Sequence, residues 1–207
     1  QFARQARMAF MARAFLRSLT ENGPADDEGK TWFSQEDTDA FMQSISTVST
    51  EFEKDFRAFS MDEISRAEFN EKYGHLRVGT YDIRTERYDQ MNFRPGPSKS
   101  KGKAEAREDA LNPGRLAEAL KEAGLQVSVE QLLHFIRYAI EQREYFKFEF
   151  TKSLSLILEL LVRAGNEMEI ARNDLSWLEI EDFRLPQYMA MEELRDQLEV
   201  KIRRRHK

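Results

Sequence analysis

The sequence predicts an all-α protein, a multi-helix bundle with one long irregular loop (about residues 74–94) and a flexible linker. Apolar residues recur at steps of three and four over long stretches, which is the spacing of helices that bury one face. Only 9 glycines and 5 prolines interrupt the 207 residues. Runs that alternate apolar and polar residues, as strands do, are few.

The composition excludes several classes of function. Hydrophobic residues make up 41% of the chain, enough for a sizeable core. The net charge of −5, from 32 basic and 37 acidic residues, predicts neither a nucleic-acid nor a membrane partner. There is no cysteine, which excludes disulfides and thiol chemistry and favours a cytoplasmic location. The longest apolar run, Leu154 to Val162, contains Ser155 and Glu159 and is far shorter than the roughly 20 residues of a membrane span.

Several helices in the first half of the chain can be placed from their ends and their spacing. An amphipathic helix covers 1–19, and because the chain starts at Gln1 we expect it to be cut from a longer polypeptide. A capping-box pattern at Ser34 predicts one helix from there to Phe59. Its apolar face comprises Phe41, Ile45, Val48, Phe52, Phe56 and Phe59. A second capping box begins at Ser65, and Gly74 is expected to end that helix in the left-handed conformation.

Glycine, proline, serine and lysine dominate residues 95–103, which we interpret as a flexible linker between N-terminal helices (1–94, with the loop) and C-terminal helices (104–207). After it, Pro113 suits a first helical turn, Gly124 a helix end and Ser128 a helix start.

One long helix is predicted from Val129 to Ala164, although Phe146, Phe148 and Phe150 alternate with charged residues as in a strand. No second strand of similar quality could pair with them, so a helix is favoured. Gly165 is expected to end this helix, and Pro186 to introduce a last one that reaches Ile202.

No self-contained active site is evident. His75, His134 and His206 are too far apart for a standard metal-ligand spacing, so no metal site is predicted. The chain also has no glycine-rich phosphate-binding motif and no nucleophile elbow. We therefore predict no catalytic residue in this chain.

The stretch from Tyr73 to Asp89 is the strongest candidate for a functional segment. It gathers polar and aromatic residues around Gly74 and Gly79, which permit unusual backbone angles. The candidate residues for an interdomain or ligand-contacting loop are Tyr73, His75, Arg77, Asp82 and Arg87. The alternative is structural, in which the arginines and Asp82 pair with one another and tie the loop to the helices.

The string EFNEKYGHLRVGTYDIRTERYD resembles a stretch that follows the ATP-grasp region in the family of phosphoenolpyruvate synthase, pyruvate phosphate dikinase and rifampicin phosphotransferase. The matching positions are Phe69, Tyr73, Gly74, His75, Arg77, Gly79, Asp82, Ile83, Arg87 and Tyr88. The segments ARMAFMARAFLRSL and REYFKFEFTKSLSLILELL are similar to the helices around this loop. Val78 departs from the pattern, since proline is common there.

The resemblance implies that the chain is the central helical domain of an ATP-dependent phosphotransferase. In such an enzyme an ATP-grasp domain phosphorylates a histidine on a swivelling domain, so its partners here would be other domains of the same polypeptide and a small-molecule acceptor. ATP and Mg are expected for the parent enzyme, and no cofactor for this chain. An alternative is a stand-alone helical interaction module that docks a partner through the Phe41 to Phe59 face.

Overall fold

A computed structural model describes residues 2–92, 105–183 and 189–206 and confirms the all-α fold class. The predicted linker at 95–103 and Pro186 lie outside the described residues. Within them the chain forms α-helices and one short 3-10 helix, Ile180–Phe183, but no β-strand. The α-helices are α1 (Phe2–Glu21), α2 (Gln35–Ser44), α3 (Val48–Ser60), α4 (Arg66–Tyr73), α5 (Pro113–Glu122), α6 (Val129–Glu167), α7 (Arg172–Leu175) and α8 (Met191–Arg205).

The chain divides into two compact units, and each is made of two segments that are separate in the sequence. The first unit comprises Gln1–Arg57 and Gly96–Phe148, and the second comprises Ala58–Pro95 and Glu149–Lys207. This division differs from the predicted one at 95–103, because α6 continues from one unit into the other. Each unit therefore combines a segment from before the linker with one from after it.

The first unit has one large apolar cluster at its centre. Phe41 from α2, Leu116 from α5 and Ile136 from α6 are each fully buried. They pack in one cluster with Leu16 of α1 and the aromatic ring of Phe33. This unit thus has the interior that the helical spacing predicts.

The second unit has an apolar cluster and a small aromatic group formed by Phe59, Phe69, Tyr73 and Tyr88. Leu198 and Ile202 of α8 pack with Val162 of α6 and Leu175 of α7. The close approach of α7 depends on Gly165, because a Cβ there would lie 2.7 Å from Leu175 Cδ1. α6 accordingly runs through Gly165 to Glu167 instead of ending at the glycine.

The helix ends show where local sequence signals hold. Capping boxes at Ser34 with Asp37 and at Ser65 with Glu68 are both formed, as predicted. Ser128 Oγ accepts from Gln131 N at the start of α6, and Gly124 has a left-handed φ of +66° after α5. The preference for helix over strand at Phe146–Phe150 is also confirmed.

The single helix predicted from Ser34 to Phe59 is wrong, since it is two helices separated at Ile45–Thr47. Ile45 is extended, with φ −76° and ψ 117°, and is buried in the first core. Thr47 and Thr50 then cap α3 reciprocally, with Thr47 N donating to Thr50 Oγ1 at 2.8 Å and Thr50 N donating to Thr47 Oγ1 at 3.3 Å. The apolar spacing runs unbroken through this corner and concealed it.

Candidate functional site

The loop after α4 is folded back on itself by backbone hydrogen bonds. Tyr88 N donates to Leu76 O at 2.8 Å, and Asp89 N donates to Gly74 O at 3.1 Å. Arg77 and Arg87 form an isolated antiparallel bridge between them. The candidate loop is therefore an ordered, hairpin-like segment without regular strands.

Two glycines shape this loop for different reasons. Gly74 has right-handed angles, φ −56° and ψ −28°, so the left-handed end predicted for α4 is wrong. A side chain is excluded there by space instead, since a Cβ would lie 2.4 Å from Asn70 O and 3.0 Å from Asp89 Cβ. Gly79 does adopt a left-handed φ of +67° and opens the turn that Asp82 N closes at 2.7 Å on Gly79 O.

Arg77 anchors the loop to the second half of α6. Its guanidinium donates to Ser155 Oγ and to Glu159 Oε1, both at 3.1 Å, and to the loop's own Thr85 O at 3.1 Å. The side chain is only 1% exposed. Burial lowers the pKa of Arg77, and the hydrogen bond and charge of Glu159 oppose that shift.

Glu159 is the centre of the polar network beneath the loop. Besides Arg77 it accepts from Gln90 Nε2 at 2.8 Å, and Arg172 lies 3.6 Å from its Oε1. Burial alone would raise the pKa of Glu159, but the hydrogen bonds from Gln90 and Arg77 and the charge of Arg172 hold it below its usual value. A carboxylate so occupied is a poor general base, so the network is better suited to anchoring than to proton transfer.

His75 belongs to the loop and contacts α6 at Thr151, one helical turn before Ser155. Its Nε2 is 3.4 Å from Thr151 Oγ1, and the ring is partly buried. Burial, together with the positive charges of Lys152 and Arg87, lowers the pKa of His75 to about 4. The imidazole is thus neutral at ordinary pH.

The other three predicted residues have separate roles. Tyr73 is 3% exposed and packs against Phe69 with ring centroids 5.2 Å apart. Arg87 pairs with Asp89 beside the bridge. Asp82 lies at the loop turn, where hydrogen bonds from the Arg84 side chain and backbone lower its pKa to about 2.

The fold therefore brings His75, Arg77 and Arg87 toward one side of α6, while Tyr73 belongs to the aromatic group and Asp82 to the turn. Sequence reasoning missed Ser155 and Glu159, which bond to Arg77, and Gln90 and Arg172, which contact Glu159. A signal for two of them was present. Thr151, Ser155 and Glu159 follow one another at steps of four within the most apolar run of the chain, so their polar side chains share one helix face.

The described residues contain no group of three or more histidines, aspartates or glutamates placed to hold a metal ion. No helix in the described ranges is long and apolar enough to cross a membrane. Comparison with protein-family models, curated proteins and solved structures finds no match to the chain.

Proposed function

We propose that this chain is the non-catalytic central helical domain of a phosphoenolpyruvate-synthase-like, ATP-dependent phosphotransferase. The observation that carries the proposal is the anchoring of the loop whose residues resemble that family. Arg77 is one of the matching positions. Its guanidinium donates hydrogen bonds to Ser155, Glu159 and the loop backbone instead of being exposed to solvent. Such a loop holds a surface in place, which is what a positioning domain requires.

The partners in this proposal are the ATP-grasp and swivelling histidine domains of the same polypeptide, and its location is the cytoplasm. ATP and Mg belong to the ATP-grasp domain, and we assign neither of them to residues of this chain. In this proposal the domain also forms part of the binding site for a small-molecule phosphoryl acceptor. His75 is not proposed as the phosphorylated histidine, because its YGH context does not match the motif of that histidine and its ring is partly buried beside Thr151.

A surface suited to other domains lies on the second half of α6. Leu156, Ile157 and Leu160 are 56%, 46% and 53% exposed. They share the face of α6 that points away from Ser155 and Glu159. Clustered exposed leucine and isoleucine side chains are unusual on a free surface and typical of an interface.

The alternative is a stand-alone interaction module, which would bind its partner through the Phe41 to Phe59 face. Phe41 and Phe59 are 0% and 7% exposed, and Ile45 is 1% exposed. A face whose ends are buried in this way offers a partner little to contact. The burial counts against that docking surface and leaves the α6 face as the better one.

The proposal is tested with radiolabelled ATP and magnesium. The isolated chain is expected to yield no AMP, no phosphate above background and no acid-labile phosphohistidine. A His75→Gln variant, purified in parallel, separates a true signal on His75 from a contaminating kinase. Labelled histidine in the wild-type chain that disappears in the variant would overturn the non-catalytic assignment.

The genomic context gives a second, independent test. The coding sequence should continue upstream into an ATP-grasp region and downstream into a domain with a phosphorylatable histidine. If the complete reading frame contains neither, the family assignment fails even if the chain is inert toward ATP.

A further inference from the structure

The outer face of α1 combines arginines with two large apolar side chains. Its exposed arginines are Arg4, Arg7, Arg13 and Arg17. Phe10 and Met11 lie among them and are 74% and 61% exposed. The first twenty residues contain no aspartate or glutamate, although the chain as a whole carries a net charge of −5. The overall charge therefore conceals a basic surface on this helix.

Helical spacing places four of these side chains on one side of α1. With about 3.6 residues per turn, they project within roughly one third of the helix circumference. They are Arg4, Arg7, Phe10 and Met11, which we call the α1 patch. Arg17 Nε donates to Glu21 at 2.7 Å, and Arg13 lies 3.9 Å from Glu144. The two arginines of the patch, in contrast, have no acidic residue within one turn along α1.

The opposite side of α1 fixes the orientation of the patch. Ala9 and Ala12 are fully buried, and Leu16 and Leu19 are 4% and 5% exposed. The two leucines belong to the same apolar cluster as Phe41. Because the inner face of α1 packs in this core, the patch faces solvent without any rotation or unfolding of the helix. A surface held in this way loses little conformational entropy when it binds a partner.

The chemistry of the patch selects the kind of partner. Guanidinium groups bind phosphate through paired hydrogen bonds, whereas phenylalanine and methionine favour apolar surroundings. An anionic bilayer offers phosphates at its surface and acyl chains directly beneath them. A protein partner would need a groove shaped to two protruding side chains. Single-stranded nucleic acid is held by several stacked aromatic rings, and the patch has one.

We propose that the α1 patch is a peripheral binding site for anionic phospholipid membranes. α1 lies parallel to the bilayer plane, with Phe10 and Met11 inserted among the acyl chains. Arg4 and Arg7 pair with the phosphates of the lipid head groups. The site lies outside the 73–91 loop, and the argument for it does not depend on the proposed phosphotransferase family.

Sedimentation of the full chain with lipid vesicles measures this binding. Vesicles of phosphatidylcholine and phosphatidylserine in a two-to-one ratio are compared with vesicles of phosphatidylcholine alone. The mixed vesicles should bind the chain at least about tenfold more tightly, and added salt should weaken the binding because it screens the arginines. Equal affinity for both kinds of vesicle, or binding to neither, would overturn the proposal.

The contribution of charge is tested with matched pairs of arginine variants. Arg4→Gln combined with Arg7→Gln should weaken binding about 25-fold, since each arginine near an anionic surface contributes about fivefold. Arg163→Gln combined with Arg204→Gln makes the same change in net charge at exposed positions of the second unit. This control should change the affinity by no more than about twofold, because charges far from the membrane are screened. An equal loss in both pairs would contradict a site on α1.

The contribution of insertion is tested with apolar variants. Phe10→Gln combined with Met11→Gln should weaken binding about tenfold and keep the salt dependence. Leu156→Gln combined with Leu160→Gln changes side chains of similar exposure and should bind as the wild type does. All these positions are exposed, so an unchanged melting temperature is expected and verifies folding. Equal weakening in the two pairs would show that the effect is not specific to the patch.

Two further measurements separate insertion from other modes of binding. Brominated acyl chains should quench a Phe10→Trp variant beyond the signal of the two native tryptophans, whereas Leu156→Trp should show no added quenching. A single-stranded oligonucleotide at the same phosphate concentration should bind more weakly than the mixed vesicles. Absence of quenching at position 10, or an oligonucleotide that binds at least as tightly as the vesicles, would overturn the proposal.

Discussion

The two halves of α6 bury different sets of side chains. In the first unit the helix buries Ile136, Ala139 and Ile140, each at most 2% exposed. In the second unit it buries Val162 in the apolar cluster, but it also buries Thr151, Ser155 and Glu159, at 6%, 3% and 9% exposed, and leaves Leu156, Ile157 and Leu160 in solvent. One continuous helix thus buries only apolar residues in one unit and adds a buried polar stripe in the other.

The difference lies in what each half packs against. The first half meets apolar side chains of other helices, and hydrophobic burial stabilises that contact without any need for matched partners. The second half packs apolar side chains with α7 and α8 on one face. On another face it meets the loop, whose buried arginine needs acceptors that only polar residues provide. A buried helix face is therefore polar where it must supply hydrogen-bond partners to an irregular segment.

The largest expected effect comes from breaking the polar contact on one side only. Glu159→Leu leaves the charge of Arg77 buried without its carboxylate and should lower the free energy of unfolding by about 3–5 kcal/mol. Urea denaturation measures it. The double variant Arg77→Met with Glu159→Leu removes both charges and should recover most of the loss. If the double variant is as unstable as the single one, the contact is not electrostatic in origin.

Exchanging polarity between the two halves should give a smaller and unequal effect. Ile140→Thr replaces an ethyl group by a hydroxyl in the apolar core, and should cost about 2–3 kcal/mol. The reverse change, Thr151→Val, is expected to cost less than about 1 kcal/mol, since the hydroxyl is 3.4 Å from His75 and the volume is kept. Thermal and urea unfolding of the pair give the comparison. Equal costs would mean that the two halves do not differ in kind.

The loop half should also show a pH dependence of stability. The pKa of His75 falls from 6.5 to about 4 in the folded chain, so the unfolded state takes up the proton first. Its contribution is complete above about pH 6.5 and is lost as the pH falls toward 4. The full pKa change corresponds to about 3 kcal/mol, which solvent screening of the partly exposed ring reduces to about 2 kcal/mol. His75→Gln should remove that slope in unfolding free energy between pH 4 and 6.5. An unchanged slope would assign it to other groups.

The smallest expected effect is on the exposed face of the second half. Leu156→Gln and Leu160→Gln should change the stability of the isolated chain by less than about 0.5 kcal/mol, because neither side chain is buried. In the phosphotransferase that we propose as the parent of this chain, the same changes should lower activity, because there the face would contact another domain. A large loss of stability in the isolated chain would show that these leucines belong to its own core.

Much of the helical framework could be predicted because its signals are local. The capping boxes at Ser34 and Ser65 and the helix start at Ser128 depend only on residues three positions away. The corner at Ile45–Thr47 escaped prediction because Ile45 and Val48 preserve the helical spacing across the break. The expectation that Gly74 ends α4 rested on the wrong reason. The backbone there is right-handed, and glycine is needed because a Cβ would collide with Asn70 O and Asp89 Cβ.

The site was less accessible to prediction because its partners are distant in the sequence. The loop residues were singled out by composition, but Arg77 bonds with Ser155 and Glu159 across separations of 78 and 82 residues. A charged residue in a polar loop normally indicates exposure, and nothing local marks Arg77 as buried. The spacing of four from Thr151 to Glu159 indicates a polar face on α6, but it does not indicate that the loop binds there.

The long separations have a consequence for the order of folding. The backbone bonds that close the loop, such as Tyr88 to Leu76, join residues near one another in sequence, so they can form early at little entropic cost. The bonds from Arg77 to α6 need most of the intervening chain to be in place. Substitutions at Arg77 or Ser155 should therefore raise the unfolding rate and hardly change the refolding rate. The contact between the loop and α6 would then determine how long the native state persists.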